Sequence, residues 1–320
     1  MRWLLLATLL SISCAEQPTF DPPSHIDSVR ILATRANSPY ARPGDHVELE
    51  VLAVDGRSTA PEPMHVYFLP RPCINPPNDA YYACFSDFHA EIPSGVDLES
   101  ELLSGTTFSF DMPTDVIDAH TGIPGQTPYG MVVVFAVACA GRVEYRPDLA
   151  GAAPDAVPFA CFDRSGGQLG AQDFAFAYSL VYAFSDRSNA NPLLESLTFG
   201  GTPVDPSAGI EVGHCTASNI DDCPATKLDV NVPSSCQEPD PSNSAPDGAI
   251  LGESLYVNYF STAGKITNDT TIIFDPRQGR LADTGNDFRS PLSAGDYQLW
   301  AVVHDNRGGV VAQPFPLHVR

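Results

Sequence analysis

Short runs in which apolar and polar residues alternate, broken every ten residues or so by glycine, proline or asparagine, occupy most of this chain. In "HVELEVLAVD", Val47, Leu49 and Val51 fall on one face and Glu48 and Glu50 on the other, the period of a half-buried strand. "VRILATRA", "HVYF", "TFSFD", "MVVVFAVAC" and "FAFAYSLVYAF" read as further strands. The pattern restarts after the polar stretch "SDRSNANP", with "LESLTFGG", "KLDVNVP", "ESLYVNYFSTAG", "TTIIFDP", "GDYQLWAVVHDNRGG" and "VVAQPFPLHVR". No segment of three helical turns carries an apolar stripe of period 3.6. The pattern predicts an all-β chain of two antiparallel sandwiches, over residues 27–185 and 186–320, each with about six short strands.

The opening of the chain follows a different rule. Arg2 precedes an apolar run from Trp3 to Leu10, which is too short to span a bilayer at ~20 residues but long enough for the core of a signal peptide. Small residues, Ser11 and Ser13, then lead to Cys14, after which the chain turns polar and proline-bearing as far as residue 26. The segment resembles a bacterial lipoprotein signal peptide (residues 1–13), with serine where the family's leucine stands three places before the cysteine. The resemblance implies that Cys14 becomes the N-terminus and carries a thioether-linked diacylglycerol and an amide-linked acyl chain such as palmitate. Residues 14–26 would then be a tether, and Ala15 rather than aspartate after the cysteine implies the outer membrane. Ser11-Ile12-Ser13 also suits ordinary secretory cleavage, which would release a soluble protein.

The penultimate runs of the two halves, "PYGMVVVFAVACAG" and "GDYQLWAVVHDNRGG", echo one another, each led by a tyrosine, Tyr129 or Tyr297. The second resembles the penultimate strand of bacterial Ig-like and PKD-type repeats. That resemblance implies two tandem Ig-like sandwiches, with tyrosines that bond back across a corner. The first half is long for such a sandwich, and its surplus, residues 70–103 and 141–172, contains Cys73, Cys84 and Cys161.

Beyond the anchor there are seven cysteines in an exported chain, where thiols oxidise. Local spacing favours Cys73–Cys84, a strand end facing a loop favours Cys139–Cys161, and Cys215–Cys223 is the shortest pairing in the second half, leaving Cys236. The alternative for the last group is zinc held by His214, Cys215, Cys223 and Cys236, but adjacent His214 and Cys215 cannot readily share a tetrahedral ion. No metal or other cofactor is expected. Calcium is the only one for which turns such as "DTGND" and "HDNRGG" offer oxygens, and neither follows an EF-hand spacing.

The composition excludes some partners. A net charge of −22, with lysine only at Lys227 and Lys265, repels nucleic acid and anionic lipid. "FDRSGG" resembles the nucleophile motif of trypsin-like proteases, but Arg164 separates Asp163 from Ser165, and a glycine turn explains it. No GxSxG, HExxH, SxxK or phosphate loop occurs. The chain is therefore expected to be a non-enzymatic envelope lipoprotein, a membrane-anchored binding or structural module facing the periplasm or the surface. The alternative is a secreted or surface accessory protein that binds polysaccharide or an envelope partner. Tyr81, Tyr82 and Phe85, in "AYYACFSDF", are the aromatic candidates for contact with an unknown protein or glycan; the alternative is that these rings are buried against the Cys73–Cys84 loop and cover their own domain.

Overall fold

The structure, a computed structural model, describes residues 22–85, 102–122, 125–146, 148 and 157–320. Cys14, the signal segment and the tether up to residue 21 lie outside the described residues. The chain folds as two tandem Ig-like β-sandwiches with disulfide-bearing insertions. The first is built from β1 (Val29–Ala36), β2 (His46–Asp55), β3 (His65–Phe68), β4 (Thr107–Asp111), β5 (Gly130–Cys139) and β6 (Phe174–Ala183). One sheet runs β1-β2-β4. The other runs Tyr40–Ala41, β6, β5, β3, Leu103–Ser104.

The second sandwich repeats that plan with β7 (Ser196–Phe199), β8 (Ala225–Asn231), β9 (Leu255–Ser261), β10 (Thr270–Asp275), β11 (Asn286–Arg289), β12 (Gly295–Asp305) and β13 (Val310–Val319). One sheet contains β7, β8 and β11, and the other runs Ile210–Val212, β13, β12, β9, β10. In both halves a short early strand pairs parallel with the last long one, Tyr40 opposite Tyr182 and Ile210 opposite Leu317, while the long pairs are antiparallel.

Alternation builds each core. Val47, Leu49 and Val51 of β2 meet Val132, Val134 and Ala136 of β5 and Val181 of β6. In the second sandwich Leu228 and Val230 meet Val257, Tyr259, Leu299, Ala301 and Phe315. β5 departs from alternation because it is buried on both faces: Met131, Val133, Phe135 and Val137 point away from the core into a third cluster with Phe85, Phe159 and the cystines. The described part of the first half's surplus thus forms a lid over the outer face of the β5–β6 sheet, and this explains an uninterrupted apolar run in an antiparallel sheet. Cys73–Cys84 and Cys139–Cys161 fasten that lid, and Cys215–Cys223 closes an insertion in the second sandwich. Three such bonds belong to an exported chain. Among the described residues no helix is long and apolar enough to cross a membrane.

The two sandwiches meet through an apolar joint. Ile26, Leu32, Leu52 and Val54 pack on Phe260 and Trp300, and Ala33 packs on Val302 and Val310. The last residues of the expected tether are part of it. The Ile26 amide donates to Ser261 O at 2.9 Å, the Ser261 amide donates to Ser24 O at 2.8 Å, and Ser24 and Ile26 are buried. The tether therefore ends before residue 24, because Ile26 has an apolar site to fill.

The echoing tyrosines diverge. The Tyr297 hydroxyl lies 3.0 Å from Ser293 Oγ and donates to Ser293 O at 3.3 Å, a bond back across its own corner. The Tyr129 hydroxyl instead donates to the carboxylate of Asp79 in the lid.

Candidate functional site

Successive side chains of a strand alternate between faces, so Phe174, Phe176, Tyr178, Leu180 and Tyr182 of β6 share the face beneath the lid. Coverage fades along this row. Phe176 lies among Phe135, Phe159 and Phe85, with centroids 5.6, 6.3 and 6.2 Å away. Tyr178 stacks on Tyr81 at 4.1 Å and 14° and is still 40% exposed. Tyr182 approaches Tyr129 at 5.8 Å and Tyr40 at 6.4 Å, edge-on to both.

The open end of the row leads into a groove of about 620 Å³ between β1, β6 and the turn after β12, lined by Tyr178, Ser179, Tyr182, Tyr40, His304 and Arg307 among others. The volume is within the ~300–1,000 Å³ of ordinary ligand sites. Arg307 lies over the Tyr40 ring, 5.7 Å from its centroid. Its Nε donates to Glu253 at 2.6 Å and its Nη2 to Glu238 at 2.8 Å, so its charge is spoken for. Burial pushes the Glu253 carboxyl up to about 7, against the opposing pull of the Glu238 amide and Arg307. The Asp305 carboxylate accepts the amides of Arg307 and Gly309, both at 2.7 Å, and Asn189 Nδ2 at 2.9 Å. His304 stacks on Tyr256 at 5.0 Å, and burial drives it down to about 4. Burial also raises Tyr40 to about 12. At neutral pH the groove thus presents phenol rings, hydroxyls and a neutral imidazole, groups suited to hydrogen bonding rather than proton transfer.

Linker residues hold the joint beside this groove. Asn191 Nδ2 donates to Ala36 O at 2.7 Å while its Oδ1 accepts the Val310 amide at 2.9 Å, so one side chain clips both sandwiches. The lid is fixed from the other side. Asn75, Asn78 and Asp79 take positive φ, which Asn and Asp tolerate best among side-chain-bearing residues. Asp79 so placed accepts from Tyr129 and lies 2.8 Å from His120 Nε2. Burial alone would raise the Asp79 carboxyl; the bonds from Tyr129 and His120 hold it below the usual range.

Of the aromatics singled out from sequence, Tyr82 is 43% exposed and Tyr81 roofs Tyr178. Phe85 corrects the contact reading in favour of its alternative: it is buried at 6% exposure in the lid's apolar cluster. Cys215 and Cys223 are consumed in their disulfide, His214 Nδ1 lies 3.0 Å from Arg320 O, and Cys236 remains a half-buried thiol that accepts the Leu193 amide. Ser165 donates to Asp163, which also accepts the Gly167 amide, a self-contained turn. In the turn considered for calcium in the second sandwich, Thr284 donates to Asp229, and Lys227 pairs with Asp283 and Asp287. Among the described residues no group of three or more His, Cys, Asp or Glu is placed to hold a metal. Sequence reasoning missed Tyr40, Tyr178, Tyr182 and Arg307. The signal available was the aromatic at every second place in "FAFAYSLVYAF".

No family model matches the chain, and no curated protein matches it. Among solved structures, the fibronectin(III)-like modules of CbhA from Clostridium thermocellum are similar at 10% identity, with a TM-score of 0.23, over 90% of this chain and 94% of that one. The tandem Ig repeats of Dlar are similar at 7% identity and a TM-score of 0.23, over 92% and 98% of the two chains. The C-terminal domain of the AgI/II polypeptide BspA from Streptococcus agalactiae is similar at 9% identity and a TM-score of 0.21, over 89% and 99%. The fold assignment rests on the strand pairing itself and not on these likenesses.

Proposed function

We propose that the chain is an outer-membrane lipoprotein, anchored by acyl chains on Cys14, whose two sandwiches form a non-enzymatic module that binds polysaccharide. One observation carries the reading: the row Tyr178, Tyr182 and Tyr40 opens onto a groove rimmed by hydrogen-bonding groups, with its one arginine already paired. Phenol rings take up the apolar C–H faces of sugar rings, while hydroxyl, amide and imidazole groups meet the sugar hydroxyls. A net charge of −22 turns away densely anionic polymers, so the preferred glycan is neutral or sparsely charged. The leader, the proline-bearing tether and the disulfides all support an exported, anchored protein. Several acyl chains on one residue hold far more firmly than a single myristoyl group, at ~0.8 kcal/mol per buried methylene.

Two measurements test this. Intact-mass analysis of membrane-extracted protein should give an acylated N-terminus at Cys14; an unmodified soluble product would reject the anchor. Affinity electrophoresis through gels containing neutral polysaccharides should retard the wild type, and the Tyr178→Ser/Tyr182→Ser variant should run unretarded with an intact fold. Equal retardation of both would reject the groove.

A further inference from the structure

Beside the groove, and sharing Tyr182 with it, lies a second pocket of about 510 Å³ lined by Thr127, Tyr129, Tyr182, Phe184, Arg187 and Ser242, among others. Arg187 belongs to the linker between the sandwiches and is gripped by one residue from each. Its Nη2 donates to Thr127 Oγ1, its Nη1 donates to Ser242 Oγ at 2.6 Å, and the guanidinium lies 5.3 Å from the centroid of the Phe184 ring. Both hydrogen-bond partners are neutral. In a chain with 39 acidic residues against 17 basic ones, this cation has no carboxylate partner among the described residues. A guanidinium carries five N–H donors, so two bonds to hydroxyls leave donors to spare. The Tyr129 phenol, spent on Asp79 and raised to about 12, stays protonated and leaves its ring for packing.

Resting on the polysaccharide reading, we infer that this pocket is a subsite for a carboxylate-bearing sugar, a uronic acid type unit within an otherwise neutral glycan lying in the groove. The N–H donors that Arg187 does not spend on Thr127 and Ser242 suit the oxygens of a planar carboxylate. The rings of Tyr129 and Tyr182 supply packing surface for a pyranose. The acidic surface limits the ligand to sparse charge: one carboxylate can be met locally, whereas a dense polyanion meets long-range repulsion. The shared Tyr182 makes the two cavities neighbouring subsites across the joint.

The test uses the full mature chain and isothermal titration with three probes: a neutral oligosaccharide, glucuronic acid and its methyl ester, with a short peptide bearing a free C-terminal carboxylate alongside. Glucuronic acid should bind the wild type more tightly than the ester. Arg187→Gln should lose about tenfold or more of that affinity, the worth of a charge-assisted hydrogen bond. Arg187→Lys, which keeps the charge and loses the fork, should fall between and guards against a joint loosened by the glutamine. Equal binding of acid and ester, or unchanged acid binding in Arg187→Gln with an intact fold, overturns the subsite. Preference for the peptide overturns the sugar assignment. Neutral oligosaccharide binding that survives in Arg187→Gln and is lost in Tyr178→Ser/Tyr182→Ser keeps the groove while the subsite alone is judged.

Discussion

Among the described residues Tyr259 is the largest fully buried side chain, and its hydroxyl has no hydrogen-bond partner there. Burial forces its ionisation far above the usual range for a phenol, so the group is a stranded neutral donor. Tyr259→Phe removes that donor without opening a cavity and should stabilise the protein by about 1 kcal/mol in urea unfolding. A loss of stability would reveal a buried water or partner. The second sandwich holds two titrating groups whose burial acts on stability in opposite directions with pH. Glu253, raised to about 7, binds its proton more tightly folded than unfolded, so its contribution to stability is greatest below about pH 4.5 and declines up to about pH 7. His304, lowered to about 4, does the reverse: it costs stability as pH falls from about 6.5 to 4. Glu253→Gln should therefore remove only the first trend, leaving stability that rises with pH more steeply than in the wild type between pH 5 and 7. Parallel profiles would show that Glu253 is ionised throughout. None of this was legible in the sequence, because a glutamate in a turn and a histidine in a strand look solvated until Glu238, Arg307 and Tyr256 pack against them.

At the scale of elements the sequence was most transparent where period 2 held, as in β2, whose alternation of valine and leucine with glutamate survives as buried and exposed positions. The run that became β5 identified a strand but not what covers its second face. The cover comes from loop segments whose only marks were surplus length and cysteines, and the same marks left Phe85 open between a contact residue and a buried ring. The Tyr129 echo misled for a related reason. Once the lid brought Asp79 within reach, that carboxylate was a stronger acceptor than a corner carbonyl. Closing 22 residues of separation, the Cys139–Cys161 bond ties the end of β5 to the lid strand Phe159–Phe162, which pairs antiparallel with Arg142–Tyr145. Its replacement by two alanines should cost about 3 kcal/mol by the loop-entropy estimate. A cost near zero would mean that the lid is held by packing alone. Gly130, at the start of β5, has the Val116 backbone 2.7 Å from where a Cβ would sit. Gly130→Ala should consequently lower the melting temperature and displace the 112–117 segment that leads to His120.

For the whole molecule, the joint decides whether there are two bodies or one. We propose division near Asn189–Asn191, yet Asn189 Nδ2 is bonded to Asp305, Asn191 bridges Ala36 and Val310, and Trp300 is buried at 7% exposure among residues of the other half. Calorimetry of the wild type should show one unfolding transition. Trp300→Ala should split it in two, since truncating a buried aromatic removes about 3–5 kcal/mol, enough to uncouple sandwiches that retain separate cores. A single shifted transition would mean that neither half is stable alone. This rigidity bears on function, because the groove borrows Tyr178 and Tyr182 from one sandwich and His304 and Arg307 from the other, and it keeps its shape only if they stay fixed. The central claim, that a glycan lies across that groove, is tested most directly by tyrosine-selective NMR during titration with a neutral oligosaccharide. Ring resonances of Tyr40, Tyr178 and Tyr182 should shift together and saturably, while those of Tyr259 and Tyr297 stay in place. No shift across a panel of polysaccharide fragments, or shifts at Tyr297 with the groove tyrosines still, would contradict it.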